Sequence, residues 1–445
     1  MIVWRSWGAW VLVLLPLPAW ALESPSFLAD KVSPETTVQT SQESSSGEDL
    51  LKEAALGGHA RFDYYSASKK LDNNHSLAGL TFQPRARPKF GTWGDAKIEA
   101  RIQDEDLSDR GKSKPSGRLL ESYANIYFGS IDLRIGKQII AWGRADALNP
   151  TDNLTPKDFT LLSAKDEDER RIGSSGVKMN YYQGSYTLSL IWLPIFNPST
   201  IPLTPPPPGF RLTEEKRDNG TWTDQGFAAK LDQTGGAVDW SVSYYYGLDV
   251  MPSVRSLSPT ETLLVHNRLH VFGADFAKVI GRYNIRGETA YTHTQDPRGT
   301  DPVIKNPYYQ YVLGADRDFG EGLNVNLQFF QRIIVNFHDP AEIQNPLART
   351  TALFNAILTQ QQDEVQEGLT GRIRQTWLNE TLEGQLTGVW NANRNDFFLR
   401  PMLSYAFTDV WKGFAGADIY NGPTASPFGR LRPTTALFME IRATL

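Results

Sequence analysis

No cysteine occurs among the 445 residues. Disulfides and thiolate metal sites are therefore excluded, and no lipid can be attached through a cysteine. Histidine is scarce as well, with six residues: His59, His75, His266, His270, His293 and His338. His266 and His270 share a strand face, but no third ligand stands near them in sequence, so no metal site is expected. HExxH and GxSxG patterns are missing, and the GKS at 111–113 lacks the preceding glycine of a phosphate loop. The acidic groups Asp104, Asp106 and Asp109, or Asp166 and Asp168, read as solvated loops rather than Ca²⁺ ligands. A nucleophile held by a histidine is what an enzyme would need, so the expectation is no enzyme and no cofactor. With a formal net charge of −5, no nucleic-acid partner is expected.

Long apolar runs are also missing, with one short exception at the start. Arg5 supplies a positive region, Trp7 to Pro18 an apolar one, and Ala19-Trp20-Ala21 small residues for cleavage. The run falls below the ~20 residues of a spanning helix and holds two prolines, so 1–21 reads as a cleavable signal peptide. Residues 22–55 are rich in Ser, Thr and Glu and read as a flexible periplasmic leader, leaving 56–445 as the folded domain. Mean hydropathy of −0.39 would describe a soluble protein. Transmembrane β-barrels escape that test, because lipid-facing and lumen-facing residues alternate and average out.

Alternation is what the chain has in quantity. In AKIEARI, Ala96, Ile98, Ala100 and Ile102 oppose Lys97, Glu99 and Arg101. Leu323, Val325, Leu327 and Phe329 oppose Asn324, Asn326 and Gln328. In the final TALFMEIRATL, Leu437, Met439, Ile441, Ala443 and Leu445 oppose Phe438, Glu440, Arg442 and Thr444. Side chains of a strand alternate sides, so each segment has one apolar and one polar face. About eighteen strands are expected, at 58–67, 76–85, 94–104, 117–128, 130–140, 174–182, 185–195, 223–232, 236–247, 266–278, 282–293, 306–317, 323–334, 364–377, 381–392, 396–408, 411–420 and 433–445.

The connections separate a sandwich from a barrel. Those after even-numbered strands are mostly tight and those after odd-numbered strands mostly long, with 86–93 and 393–395 as exceptions. An up-and-down barrel sorts its turns this way, with short periplasmic turns at one rim and long extracellular loops at the other. Tyr186, Trp192, Trp377, Trp390 and Trp411 near strand ends fit interfacial girdles. The expected fold is all-β, a closed antiparallel up-and-down transmembrane β-barrel in the bacterial outer membrane, in contact with outer-membrane lipid.

Parity puts Lys97, Arg101, Arg134, Arg286, Arg332, Arg372, Arg374, Arg400, Lys412 and Arg442 in the lumen, with Glu99, Glu121, Asp132, Glu288, Glu383, Asp418 and Glu440. Such charge density fits a wet channel that leans cationic, or a network paired across the wall. Extending parity beyond Gln138 places Trp142, Arg144 and Asp146 on the lumen side of the mouth. Asn149-Pro150-Thr151-Asp152 and Thr155-Pro156-Lys157-Asp158 each put a capping residue first, proline second and an acid fourth, which starts a helical turn. Loop 141–173 is therefore expected to be compact, serving either as a brace or as a constriction. The candidate solute path is Trp142, Arg144, Asp146, Asn149, Asp152, Arg134, Arg332, Arg372, Arg374, Arg400, Arg442 and Glu440. Ile201, Leu203 and Phe210 of the proline-rich loop are expected to pack inside the mouth, and ARTTALFNAILTQ to form an amphipathic helix.

The signal peptide, the alternating strands, LRIGKQ at 133–138 and the apolar last strand resemble Gram-negative outer-membrane porin-like proteins. The strand number and charged lumen look most like alginate-exporter-type barrels. WGR-A-D-A-L-NPTD at 142–152 looks like outer-membrane barrels associated with export of hydrophobic or envelope compounds. The resemblance implies a channel passing a small-molecule or polymer substrate. Its alternative is the outer component of an export or assembly system with a periplasmic partner.

Overall fold

In a computed structural model, residues 55–67, 76–107, 113–146, 148–160, 167–201, 209–215 and 222–445 are described. The signal peptide and all of the leader but Ala55 lie outside them. Eighteen barrel strands run in chain order: β1 (Gly57–Tyr65), β2 (Leu77–Ala86), β3 (Gly94–Asp104), β4 (Ser116–Phe128), β5 (Ile131–Gln138), β6 (Ser174–Gln183), β7 (Tyr186–Leu193), β8 (Gly226–Gln233), β9 (Asp239–Leu248), β10 (Arg268–Ile280), β11 (Tyr283–Thr294), β12 (Tyr308–Gly320), β13 (Leu323–Ile334), β14 (Val365–Trp377), β15 (Leu382–Asn391), β16 (Asp396–Ala406), β17 (Trp411–Asn421) and β18 (Ala436–Thr444). Each pairs antiparallel with its neighbours, and β1 closes the cylinder on β18 from His59 opposite Thr444 to Tyr65 opposite Phe438. Closure leaves no barrel edge whose amides would face hydrocarbon unpaired.

Burial is inverted relative to a soluble domain. Leu437, Met439 and Leu403 stay 67%, 66% and 56% exposed, whereas Asp418, Gln138 and Asp396 are 0% exposed. Large apolar side chains of the alternating segments point outward along most of the wall, which only a hydrocarbon surrounding makes favourable. Two prolines interrupt the wall. Pro84 in β2 and Pro401 in β16 have no N–H to donate, and the β2–β3 and β16–β17 registers skip them. A bulge between β3 and β4 at Glu99/Ala100 absorbs Leu120, which turns inward.

At one rim the connections are short, such as Gly129, Gly184 and Gly281, all with positive φ. At the other rim the long loops build structure of their own. Arg211–Glu214, Ser253–Ser258 and Glu261–Val265 form a three-stranded sheet. The loop segments also form helices α1 (Glu167–Arg170), α2 (Pro346–Leu358) and α3 (Pro427–Arg430). The expected amphipathic helix is α2, capped by the Asn345 side chain, which accepts from the Leu347 and Ala348 amides. Its Asn355 bonds both backbone groups of Val254 and so ties the helix to the small sheet. Ile201 is buried as expected, whereas Leu203 lies outside the described residues.

Candidate solute path

Beyond β5 the chain turns inward instead of out. Thr155 Oγ1 accepts from the Ile140 amide at 2.9 Å and donates to the Ile140 carbonyl at 2.7 Å, pinning the loop to its own root. Ile140, Trp142 and Leu154 then pack on inward-facing Ile191, Leu193, Ala228, Tyr245, Leu269, Val271 and Ala290. Gly143 follows at φ +97°, and a Cβ there would lie 2.4 Å from Glu288 Oε2. Glycine alone permits that turn and that approach. The Glu288 carboxylate, on β11 and 3% exposed, accepts from the amides of Arg144 (3.0 Å), Ala145 (3.2 Å) and Thr151 (2.7 Å) and from Thr151 Oγ1 (2.8 Å). Four donors converge on one carboxylate, which is how a buried charge is made tolerable.

From that anchor the loop reaches in two directions. Arg144 donates to Asp275 at 2.5 Å and stands 3.6 Å from Asp232. Asp146 accepts from Arg286 at 2.5 Å, Asn326 at 2.9 Å and Gln328 at 2.8 Å, and Arg286 also pairs with Asp316. Across the lumen, Arg61 donates to both oxygens of Glu169 at 2.7 and 2.6 Å, Arg442 lies 3.6 Å away, and Arg101 donates to the Glu169 carbonyl. The described loop residues thus touch β1, β3 and β18 on one side and β8, β10, β11 and β13 on the other. Burial alone would raise the Glu169 pKa, but Arg61, Arg442 and Arg101 more than offset it and hold the carboxyl well below the usual range. The Asp152–Arg171 ion pair and the hydrogen bonds from the Asp158 amide to the Arg170 carbonyl and from the Ile172 amide to the Pro156 carbonyl close the loop on itself.

The other expected path residues are wall elements. Arg134 donates to Asn125 and lies 4.1 Å over the Tyr123 ring. Arg332 donates to Gln310, Thr359 and Gln360. Arg372 meets Asn324 at 3.3 Å and Arg374 meets Glu383 at 2.9 Å. Arg400 pairs with Asp418 at 2.6 Å, and Arg442 with Glu440 at 2.7 Å. Trp142 is 6% exposed and is wall packing rather than lining. Asn149 does line a cavity, and its Oδ1 is buried without a hydrogen-bond partner.

Three sequence readings need correction. Neither proline motif starts a helix. Asn149–Asp152 is a single turn closed by the Asp152 amide on the Asn149 carbonyl, and 155–158 is extended, bridging Lys157 to Arg171 and Asp158 to Thr200. Thr155 is unavailable as a cap because its hydroxyl serves Ile140. The lumen does not present Arg286, Arg61 and Arg442 as unpaired cations, since Asp146 and Glu169 meet them, and Arg144, carried by the same loop, meets Asp275. Nor is it wet throughout. Leu148, Phe159, Ile201, Val254, Leu264, Leu358, Phe428 and Leu431 from the loops pack on inward Val312, Phe330, Val389, Phe398 and Tyr420 near the outer rim. Beside this apolar layer lies a cavity of about 120 Å³ lined by Asn149, Lys157, Asp249, Lys305, Tyr308 and Arg332. Lys305 pairs with Asp249 at 2.5 Å; burial works against its charge, yet the carboxylate raises its pKa.

No family model and no curated protein matches the chain. Solved structures do. OccK5 (OpdH) of Pseudomonas aeruginosa aligns over 89% of this chain and 99% of its own, with 9% identity and a TM-score of 0.51. OccK11 (OpdR) of the same organism aligns over 89% and 97%, with 10% identity and a TM-score of 0.50. The shared fold is a closed outer-membrane β-barrel. With its girdled apolar exterior and charged interior, this chain is a barrel of the bacterial outer membrane.

Proposed function

We propose that the protein is a channel for small polar solutes, held in a narrowed state by loop 141–173. The observation that carries this reading is the loop's double anchorage: Arg144 and Asp146 on one wall, Glu169 on the opposite wall. A brace would need only one of these. A segment tied to both sides of a cylinder divides its interior, and solute must pass around it or move it. The cavity beside Asn149 and Arg332 supports a polar cargo, because its lining offers both donors and acceptors. The alternative of an export component with a periplasmic partner gains no separate support from the described residues.

Planar-bilayer recording tests the proposal. Wild type should give a small conductance, and deletion of 145–160 should raise it several-fold in a barrel that still folds. The double variant Arg144→Ala/Asp146→Asn should raise it part of the way. Unchanged currents in both would reduce the loop to a support for the wall.

A further inference from the structure

The histidine pair that the sequence offered does not exist. His266 lies in the connection before β10, with its Nδ1 2.7 Å from the Asp249 carbonyl, and takes no part with His270. His270 meets another partner instead. The β10–β11 register sets it directly opposite His293, with ring centroids 6.0 Å apart. Both are half-buried on the outward face, in line with exposed Phe272 below. His270 is the third residue of β10 and His293 the penultimate residue of β11. At ~3.3 Å per residue this is within about 7 Å of the outer strand ends, at the level of lipid headgroups and water.

We infer that His270 and His293 form a binding site for one borderline divalent transition ion, of the Zn²⁺ or Ni²⁺ class. A metal–imidazole bond of about 2.1 Å puts each ring centroid roughly 3.2 Å from the ion, so two rings chelating at a tetrahedral-to-linear angle sit roughly 5.2–6.4 Å apart. At the observed 6.0 Å the angle at the ion would be roughly 140°, so the two rings need to close by under about 1 Å to reach tetrahedral chelation. Imidazole nitrogens select such ions over Mg²⁺ and Ca²⁺, which take oxygen ligands. Tyr244 supplies the orienting contact: its hydroxyl is 2.8 Å from His270 Nδ1. A hydrogen bond from Nδ1–H to that oxygen leaves Nε2 as the free lone pair, the usual arrangement behind a ligating histidine. Tyr246 packs at a tilt 4.7 Å from His270 and Tyr291 lies 6.3 Å from His293, limiting ring rotation. Among the described residues no cluster of three His, Cys, Asp or Glu exists, so the remaining coordination positions belong to water.

Calorimetric titration of Zn²⁺ into chelator-treated, untagged full-length barrel in detergent tests this. One ion per chain should bind, with no competition from excess Mg²⁺. His270→Ala and His293→Ala should each abolish saturable binding, while His338→Ala, in an external loop, should leave it unchanged. Tyr244→Phe should keep the stoichiometry and weaken affinity by about tenfold. The mobility of the unheated barrel on gels reports folding of each variant. Equal uptake by wild type and the His270→Ala/His293→Ala double variant, or no uptake by folded wild type, overturns the inference.

Discussion

Glu288 is one side chain on one strand, yet it receives the loop's first turn through three backbone amides. Replacing it with alanine removes the acceptor from groups that stay out of water, which costs about 1–3 kcal/mol for each donor left unsatisfied. Glu288→Ala should therefore free the loop root while leaving the wall paired, because the strand's own ladder is untouched. Limited proteolysis of the folded variant should cut between residues 144 and 160 where wild type resists. Gly143 belongs to the same contact. Gly143→Ala combines an unfavourable φ with a clash on the carboxylate, and should give the same cleavage pattern.

At the scale of the loop, the Glu169 contact predicts a pH response. Its carboxyl is held below the usual range in the folded state, so the stabilisation is present above the unfolded pKa of about 4.3 and is lost as pH falls through the lower folded value. Currents should therefore stay small through mildly acidic pH and rise only well below pH 4. Glu169→Gln should record the larger current already at pH 7. An opening in wild type near pH 6 would place the responsible group elsewhere. Parity made the lumen side of Arg134 and Gln138 legible, but the strand ends at Gln138, and the course of the loop beyond it is set by Thr155 and Glu288, which no periodicity announces. The Glu169 contact was not legible either, because nothing local in AKDEDERR distinguishes one acid from the next. Its significance comes from Arg61 and Arg442, brought together by barrel closure. The proline motifs misled for a related reason: a hydroxyl that can cap a helix can equally serve a backbone group fifteen residues away, as Thr155 does for Ile140. The His270–His293 contact depends on β10–β11 register, which composition does not specify.

The whole cylinder was the easiest part to read, since a two-residue period with two populations of connections has few other solutions. Its outward face makes a separate prediction. Met439→Arg near mid-height of β18 should destabilise the barrel by about 2–4 kcal/mol when folding is measured in lipid vesicles. A lumen-side change such as Ser404→Ala should cost far less. What parity could not convey is which part of the interior is dry. Inward Val312, Phe330, Val389, Phe398 and Tyr420 alternate as correctly as any charged residue, and only the loops lying against them make that level of the lumen apolar.

The grip on Glu169 combines both extremities of the folded chain, Arg61 from the first strand and Arg442 from the last. Neither half of that clasp is complete until the two strands have zipped together. The Glu169 half of the loop's anchorage can then form only after closure, whereas the Glu288 half can form before it. On the proposed reading, the narrowed channel is a property of the completed cylinder alone.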